Sequence, residues 1–418
     1  MAYSSEQEAV CVIVGASHGG VNSAFALRKE GWTGRIILVD KDDALPYHRP
    51  PLSKAFLTSD DGINSILLKP ESAYHNNNIE LMPGVTVASI DRGRKTLLLD
   101  NGETLAYSKL ILAVGASPII PPIQGIDTTA AVFPLRTATD VHHIKAAVAP
   151  AQGKRAVVIG GGYIGLEAAA SLTKMGVSVT VVEREERVLA RVTSPELSAF
   201  FEQLHRDNNV AIHTQKNVVS LGDVDGRPCV RCEDGAQYQA DVVIIGVGIV
   251  VNIELAEEAG LDIENGIAVD AHARTSDPDI YAIGDCTFHY NPRYDRKVRL
   301  ESVQNAVDQG KIAAAAIAGT PRDYDSIPWF WSDQYDVKLQ IVGLSAGYDN
   351  IVTRTESESS PPRLSVWYFR GEQLLSVDAV NQPKAYVIGT KLIKEGRPVN
   401  KETLANPSTE LSLSNLAV

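Results

Sequence analysis

Short apolar runs, each broken by a glycine turn and followed by a small-residue helix, set the rhythm of this chain. "CVIVGASHGGVNSAFAL" at 11–27 and "VVIGGGYIGLEAA" at 157–169 both read as buried strand, tight turn and helix. The runs "GRIILVD", "LILAVG", "VSVTVVE" and "ADVVIIGVGI" add further buried strands. From "SIPWFWSDQYDVKLQIVGL" onward the pattern changes to alternating strands, "LSVWYFRG" and "EQLLSVDAV", then a helix near "KAYVIGTKLIKEG". The pattern predicts an α/β protein with two Rossmann-like regions and a C-terminal α+β domain. The polar tail "KETLANPSTELSLSNLAV" is expected to pack loosely.

The second turn carries the sharper chemistry. Gly160, Gly162 and Gly165 fit G-x-G-x-x-G: the first permits a tight turn, the second lets backbone approach a pyrophosphate, and the third lets helix and strand pack closely. The helix start presents free N–H groups and about half a positive charge to the phosphates. The following strand ends at Glu183, where a carboxylate can accept hydrogen bonds from ribose hydroxyls. The first turn is rougher: Gly15, Ala16, Ser17, His18, Gly19 and Gly20, with Ser17 in the middle-glycine place and Asp40 at the ribose position. Alone it reads equally well as a plain strand–helix junction.

Composition narrows the setting. A formal charge of −12 argues against non-specific nucleic-acid binding, which needs a basic footprint. "MAYSSEQEAV" lacks the basic and apolar regions of a signal peptide, and no apolar run approaches the roughly 18 residues of a membrane span. Four cysteines in this length do not suggest a disulfide framework, so a reducing cytoplasm is expected. The nine histidines form no metal constellation, adjacent His142 and His143 included, and His18 is expected simply to pack. Cys229 and Cys232 have C-x-x-C spacing, but on a strand an offset of three sends the side chains to opposite faces. No redox role is expected for them.

"TSDPDIYAIGDCT" at 275–287 resembles the second flavin motif of two-dinucleotide-binding flavoproteins, in which the aspartate, here Asp285, bonds the ribityl chain of FAD. "LILAVGASP", with Gly115, resembles the exit from the FAD domain into an inserted NAD domain. "PYHRPPLSKAFL", "RLESVQNAVDQGKIAA" and "PWFWSDQYDVKLQIVGL" resemble the putidaredoxin reductase-like, NADH-dependent ferredoxin reductases of oxygenase systems, which have the glutathione reductase fold. The resemblance implies an FAD domain over 1–117 and 249–326, an NAD domain over 118–248 and a third domain over 327–418. It implies FAD on the first turn, NADH on the second, and a small acidic [2Fe–2S] ferredoxin as electron acceptor, feeding a haem-thiolate monooxygenase or a Rieske oxygenase.

It also implies residue roles. Lys54 in "RPPLSK" stands beside the flavin ring, Glu167 faces Lys54 near the nicotinamide, and Trp331 lies against the flavin near the exit for electrons. Val87, Arg136 and Val303 join Gly15, Ser17, His18, Gly19, Gly20, Asp40, Gly115 and Asp285 around FAD. Tyr163, Ile164, Arg184, Arg191 and Gly248 join Gly160, Gly162, Gly165, Glu167 and Glu183 around the nicotinamide nucleotide. Glu183 favours NADH by repelling a 2′-phosphate, although Arg184 beside it pulls the other way. "NPRYDRKVR", with Lys311, Lys338 and Lys384, supplies cations for docking an acidic partner. An NADH oxidase or a monodehydroascorbate reductase would use the same cofactors, but "KDDALPYHRPPLSK" offers no peroxidatic cysteine. An apoptosis-inducing-factor-like binding flavoprotein is the non-enzymatic alternative.

Overall fold

The computed structural model describes residues 9–150, 152–356 and 363–416. The first residues of "MAYSSEQEAV" and the last two of the tail lie outside them. The chain divides into two units: residues 1–49, 62–117 and 250–326 form one, and residues 50–61, 118–249 and 327–418 the other.

The first unit is built on a five-stranded parallel sheet ordered Ile280–Ala282, Lys109–Leu112, Val10–Val14, Arg35–Asp40, Ile79–Pro83. Its central strand, Val10–Val14, is apolar throughout because both faces are covered. Cys11 and Ile13 enter one core cluster with Ile36 and Leu38, while Val12 and Val14 enter another with Ile37 and Val39. The helices His18–Lys29 and Val303–Ile317 cross closely on the first of these faces. An added Cβ on Gly310 would stand 3.1 Å from the carbonyl of Gly19, so a larger residue there would press the two helices apart by a few tenths of an ångström.

The second unit repeats the plan. Ala211–His213, Ser178–Val182, Arg155–Ile159, Val242–Ile245 and Val132–Pro134 form a parallel sheet in that order, with the helix Tyr163–Lys174 following its central strand. The same unit holds an antiparallel five-stranded sheet ordered Trp329–Gln334, Val337–Gly343, Gln373–Val380, Arg363–Arg370, Asn350–Glu356, on which the helix Pro383–Glu395 packs. That helix starts with a proline in its first turn and stops at Gly396 in the left-handed conformation, the usual punctuation of a helix. The architecture is α/β with two Rossmann-like folds and a C-terminal α+β region.

The tail departs from expectation. Leu404, Leu411 and Leu416 are buried and join the core beneath Trp367, Phe369 and Leu392. Three leucines among polar residues suffice to dock it, because burying each stabilises by about 2 kcal/mol. Cys229 and Cys232 are both buried free thiols; Cys232 enters the core around Val157 and Ile245, and burial pushes its pKa up. Among the described residues no helix is long and apolar enough to cross a membrane, and no His, Cys, Asp or Glu cluster could hold a metal ion.

Candidate functional site

In the first unit, the strand Val10–Val14 runs into Gly15, whose φ of +106° is accessible to glycine and strained for other residues. A Cβ there would lie 2.2 Å from the carbonyl oxygen of Ala113, and one on Gly20 would lie 1.8 Å from that of Gly15. The turn therefore closes only with these two glycines. Asp40 ends the neighbouring strand, and its carboxylate accepts from the backbone N–H of Ala16 and, at 2.8 Å, from that of Asp42. Ser17 is the N-cap of the following helix in extended conformation, and its hydroxyl makes no capping bond. His18 does more than pack: it is buried, with Nε2 3.1 Å from Nδ1 of His48.

Other candidates of this unit occupy strand ends and helix starts. Val87 opens the strand Val87–Asp91, and Gly115, at φ +61°, follows the strand Lys109–Leu112. Asp285 sits in a 3₁₀ turn after Ile280–Ala282, braced by Gln309, whose Oε1 accepts from Gly284 N–H at 2.8 Å and Thr287 Oγ1 at 3.0 Å. Val303 begins its helix behind the cap Ser302, leaving the first N–H groups without helical partners. Gly19 is confined by Ile283 and Ala306.

In the second unit, Gly160 has φ +109°, and a Cβ on it would lie 2.3 Å from the carbonyl oxygen of Gly246. One on Gly165 would lie 2.2 Å from that of Gly160, whereas one on Gly162 would meet nothing within 4 Å. Glu183 accepts from the N–H of Gly161 at 2.5 Å and of Glu185 at 2.8 Å. Arg184 is turned outward onto Glu185 at 3.0 Å. Arg191 donates to the carbonyl of Val247 at 3.4 Å, beside Gly248 with its φ of +127°. Tyr163 opens the helix with its ring 4.9 Å from that of Phe330, and Ile164 next to it is exposed.

The same unit brings Lys54 and Glu167 together. The Lys54 ammonium donates to Glu167 Oε2 at 2.6 Å, with the glutamate 1 % exposed. Two serines complete the carboxylate shell, and neither was singled out from sequence: Ser53 Oγ donates to Oε2 and Ser332 Oγ to Oε1, each at 2.6 Å. Ser53 precedes Lys54 in "PPLSK", and Ser332 follows Trp331, so strand alternation points Ser332 and Trp331 to opposite faces. Trp331 lies 5.5 Å from Trp329, ring to ring. Arg136 precedes a helix with a capping box, its N–H donating to Asp140 at 2.9 Å.

The expected docking cations are mostly paired locally. Arg293 meets Asp325 at 3.3 Å, Lys297 meets Glu264, and Arg299 meets Glu301 at 2.7 Å. Lys311 and Lys384 lie 3.1 Å from Asp308 and Glu410. Asp325, Glu264 and Glu410 come from distant parts of the chain, whereas Glu301 and Asp308 are sequence neighbours of their cations.

The residues present suit two dinucleotides. Each turn offers a glycine-closed helix start with an acid fixed at the next strand end, and the space beside Gly162 is free for a pyrophosphate. No thiol is placed for redox work: all four cysteines are buried and free, and burial pushes Cys11 and Cys286 up to about 12.

Comparison with known proteins agrees. Residues 9–310 match the pyridine nucleotide-disulphide oxidoreductase family and residues 329–414 the reductase C-terminal family. The chain is 43 % identical to putidaredoxin reductase of Pseudomonas putida, over 96 % of this chain and 95 % of that one. It is 40 % identical to rhodocoxin reductase of Rhodococcus erythropolis, over 96 % and 93 %. The crystal structure of a covalent putidaredoxin reductase–putidaredoxin complex superposes with a TM-score of 0.92 at 40 % identity, covering 97 % of this chain and 98 % of that one. The chain thus belongs to the pyridine nucleotide-disulphide oxidoreductases, in the branch of putidaredoxin reductase-like, FAD-dependent ferredoxin reductases.

Proposed function

We propose that this protein moves electrons from NADH through FAD to a small acidic [2Fe–2S] ferredoxin, which supplies a haem-thiolate monooxygenase or a Rieske oxygenase. The observation that carries the reading is the pairing of two dinucleotide turns with a complete lack of available thiols. A disulfide reductase or a peroxidatic oxidase of this fold would need a reactive cysteine, and here each one is buried. Bound FAD supplies the chemistry, accepting a hydride and releasing electrons singly.

The chain's own residues bind and orient. Gly15, Gly19, Gly20, Ser17, His18 and Asp40 hold the FAD pyrophosphate and ribose, with Val87, Gly115, Arg136, Asp285 and Val303 along the rest of it. Gly160, Gly162, Gly165, Tyr163, Ile164, Arg191 and Gly248 hold the nicotinamide nucleotide. The domains follow the same assignment, with FAD on 1–117 and 249–326, NADH on 118–248 and the electron exit on 327–418 through Trp331. The fixed ammonium of Lys54 favours negative charge developing near it, and Glu167 with its two serines stops that ammonium from swinging into solvent. Glu183 is tied to the turn, and Arg184 is engaged by Glu185, so repulsion of a 2′-phosphate dominates and NADH is preferred.

Steady-state reduction of cytochrome c by NADH, with and without a panel of [2Fe–2S] ferredoxins, tests the proposal. Fast turnover that depends on one ferredoxin is expected. Equal turnover without ferredoxin, with oxygen consumed instead, would replace it by the oxidase reading.

A further inference from the structure

The antiparallel sheet of the second unit buries a carboxylate that the proposed electron path leaves unused. Asp378, on the strand Gln373–Val380, is 2 % exposed, and no cation among the described residues pairs with it. Its partners are hydroxyls: Tyr368 donates to Oδ2 at 2.7 Å and Thr193 to the same oxygen at 2.9 Å. Tyr368 also accepts from the backbone N–H of Ser194 at 3.2 Å. Burial pushes the carboxyl up to about 6, because it is held away from water with only two neutral hydroxyls donating to it. Such a group destabilises the fold relative to an apolar residue. That cost calls for another reason to keep it.

The reason lies in what the two hydroxyls reach. Thr193 and Ser194 close the loop that leaves Glu183 and leads into the helix Pro195–Asp207. The other end of that loop is pinned to the second glycine turn, where Leu189, at φ +55°, donates its N–H to the carbonyl of Gly161 at 2.9 Å. Val188 is so close that a Cβ on Gly161 would lie 2.9 Å from its Cγ1. Between the two pins stand Arg191 and exposed Val192. Tyr163, the first residue of the helix after the turn, completes the surroundings: its buried hydroxyl has no hydrogen-bond partner among the described residues, and burial, with Asp378 nearby, pushes its pKa up.

We infer that Asp378 and Tyr368 are positioning residues through which the C-terminal sheet holds the 188–194 loop, and with it Arg191, in place for the nicotinamide nucleotide. This rests on reading the second turn as the nicotinamide-nucleotide site. The acceptor oxygen matters, not the charge itself, since both hydroxyls donate to one atom that an amide carbonyl can replace.

The test is calorimetric titration of NAD+ into the oxidised, FAD-loaded protein, alongside KM and kcat for NADH with a dye acceptor. Asp378→Leu removes the acceptor and should weaken NAD+ binding about tenfold, raising KM likewise while kcat stays within about twofold. Asp378→Asn should restore affinity to within about twofold of the parent, a rescue that a merely space-filling role would not produce. Tyr368→Phe removes one oxygen, strands the Ser194 N–H, and serves if the leucine variant fails to fold; it should weaken binding about fivefold. Parental affinity in whichever of the leucine and phenylalanine variants fold overturns the inference and leaves the nicotinamide reading intact. Failure of the parent itself to bind NAD+ would remove that reading, and this inference with it.

Discussion

The two glycine turns share everything their backbone demands and differ where a ligand would touch. In both, the first glycine has φ above +100° and aims its missing Cβ at a carbonyl, that of Ala113 in one and Gly246 in the other. In both, the third glycine lets the helix settle on the carbonyl of the first. Each acid accepts two backbone N–H groups, one in the turn and one two residues beyond itself: Ala16 and Asp42 for Asp40, Gly161 and Glu185 for Glu183. Two of the differences bear on ligands and charge. Ser17 occupies the position of Gly162, and Asn22 that of Glu167. Asn22 only donates to its own helix at His18 O, 2.7 Å away, whereas Glu167 is the centre of a four-residue cluster. The shared features make a turn; the unshared ones give each turn its task.

The largest effect should come from breaking the shared part. Gly15→Ala and Gly160→Ala each drive a Cβ into a carbonyl at a strained φ, which costs about 3 kcal/mol or more. The first variant should purify without yellow colour and melt early. The second should keep its FAD and lose reduction by NADH by about a hundredfold, read by stopped-flow bleaching. Full FAD content in Gly15→Ala would show that the first turn is not where FAD is held.

Next comes the charge pair that only the second turn has. Glu167→Gln or Lys54→Met leaves the other partner without its counter-charge in a largely buried setting, a loss of about 3 kcal/mol. Each single variant should melt several degrees lower and slow flavin reduction tenfold or more, and the double variant should recover part of the melting temperature. At the matching position of the first turn, Asn22→Ala should change stability by less than about 1 kcal/mol. Equal effects at the two positions would erase the contrast.

What the residues disclosed in advance follows how local each feature is. Strands, glycine turns and the acids after them are legible because each needs a particular residue within a few positions of the next. Lys54 and Glu167 lie 113 residues apart, and only a family resemblance linked them. Ser53 and Ser332 escaped notice because a serine carries no signal until its partner, 114 and 165 residues away, is known. Asp378 looked like one polar residue in an alternating strand, and its tie to Thr193 spans 185 positions. The same blindness misled the charge reading: Lys297 and Arg293 read as open cations until Glu264 and Asp325 folded onto them. The tail was misjudged because its three core leucines are diluted among polar residues, which hides their common face.

The smallest effects should come from exchanging the middle residues of the turns, and they bear most directly on what the difference means. Gly162→Ser places its Cβ where no protein atom lies within 4 Å, and the backbone there has the ordinary extended φ of −79°. Folding should be indifferent, with a change below about 0.5 kcal/mol, since a serine N-cap is as good as glycine or slightly better. Binding should not be indifferent, because that space is where a pyrophosphate meets the backbone; NAD+ affinity should fall about tenfold at unchanged melting temperature. The reverse exchange, Ser17→Gly, removes a hydroxyl that caps nothing, so FAD retention should change by no more than about threefold. A glycine variant that binds FAD far more tightly would mean that Ser17 crowds the cofactor. A serine variant at 162 with parental NAD+ affinity would mean that the open space beside the second turn is not a phosphate seat.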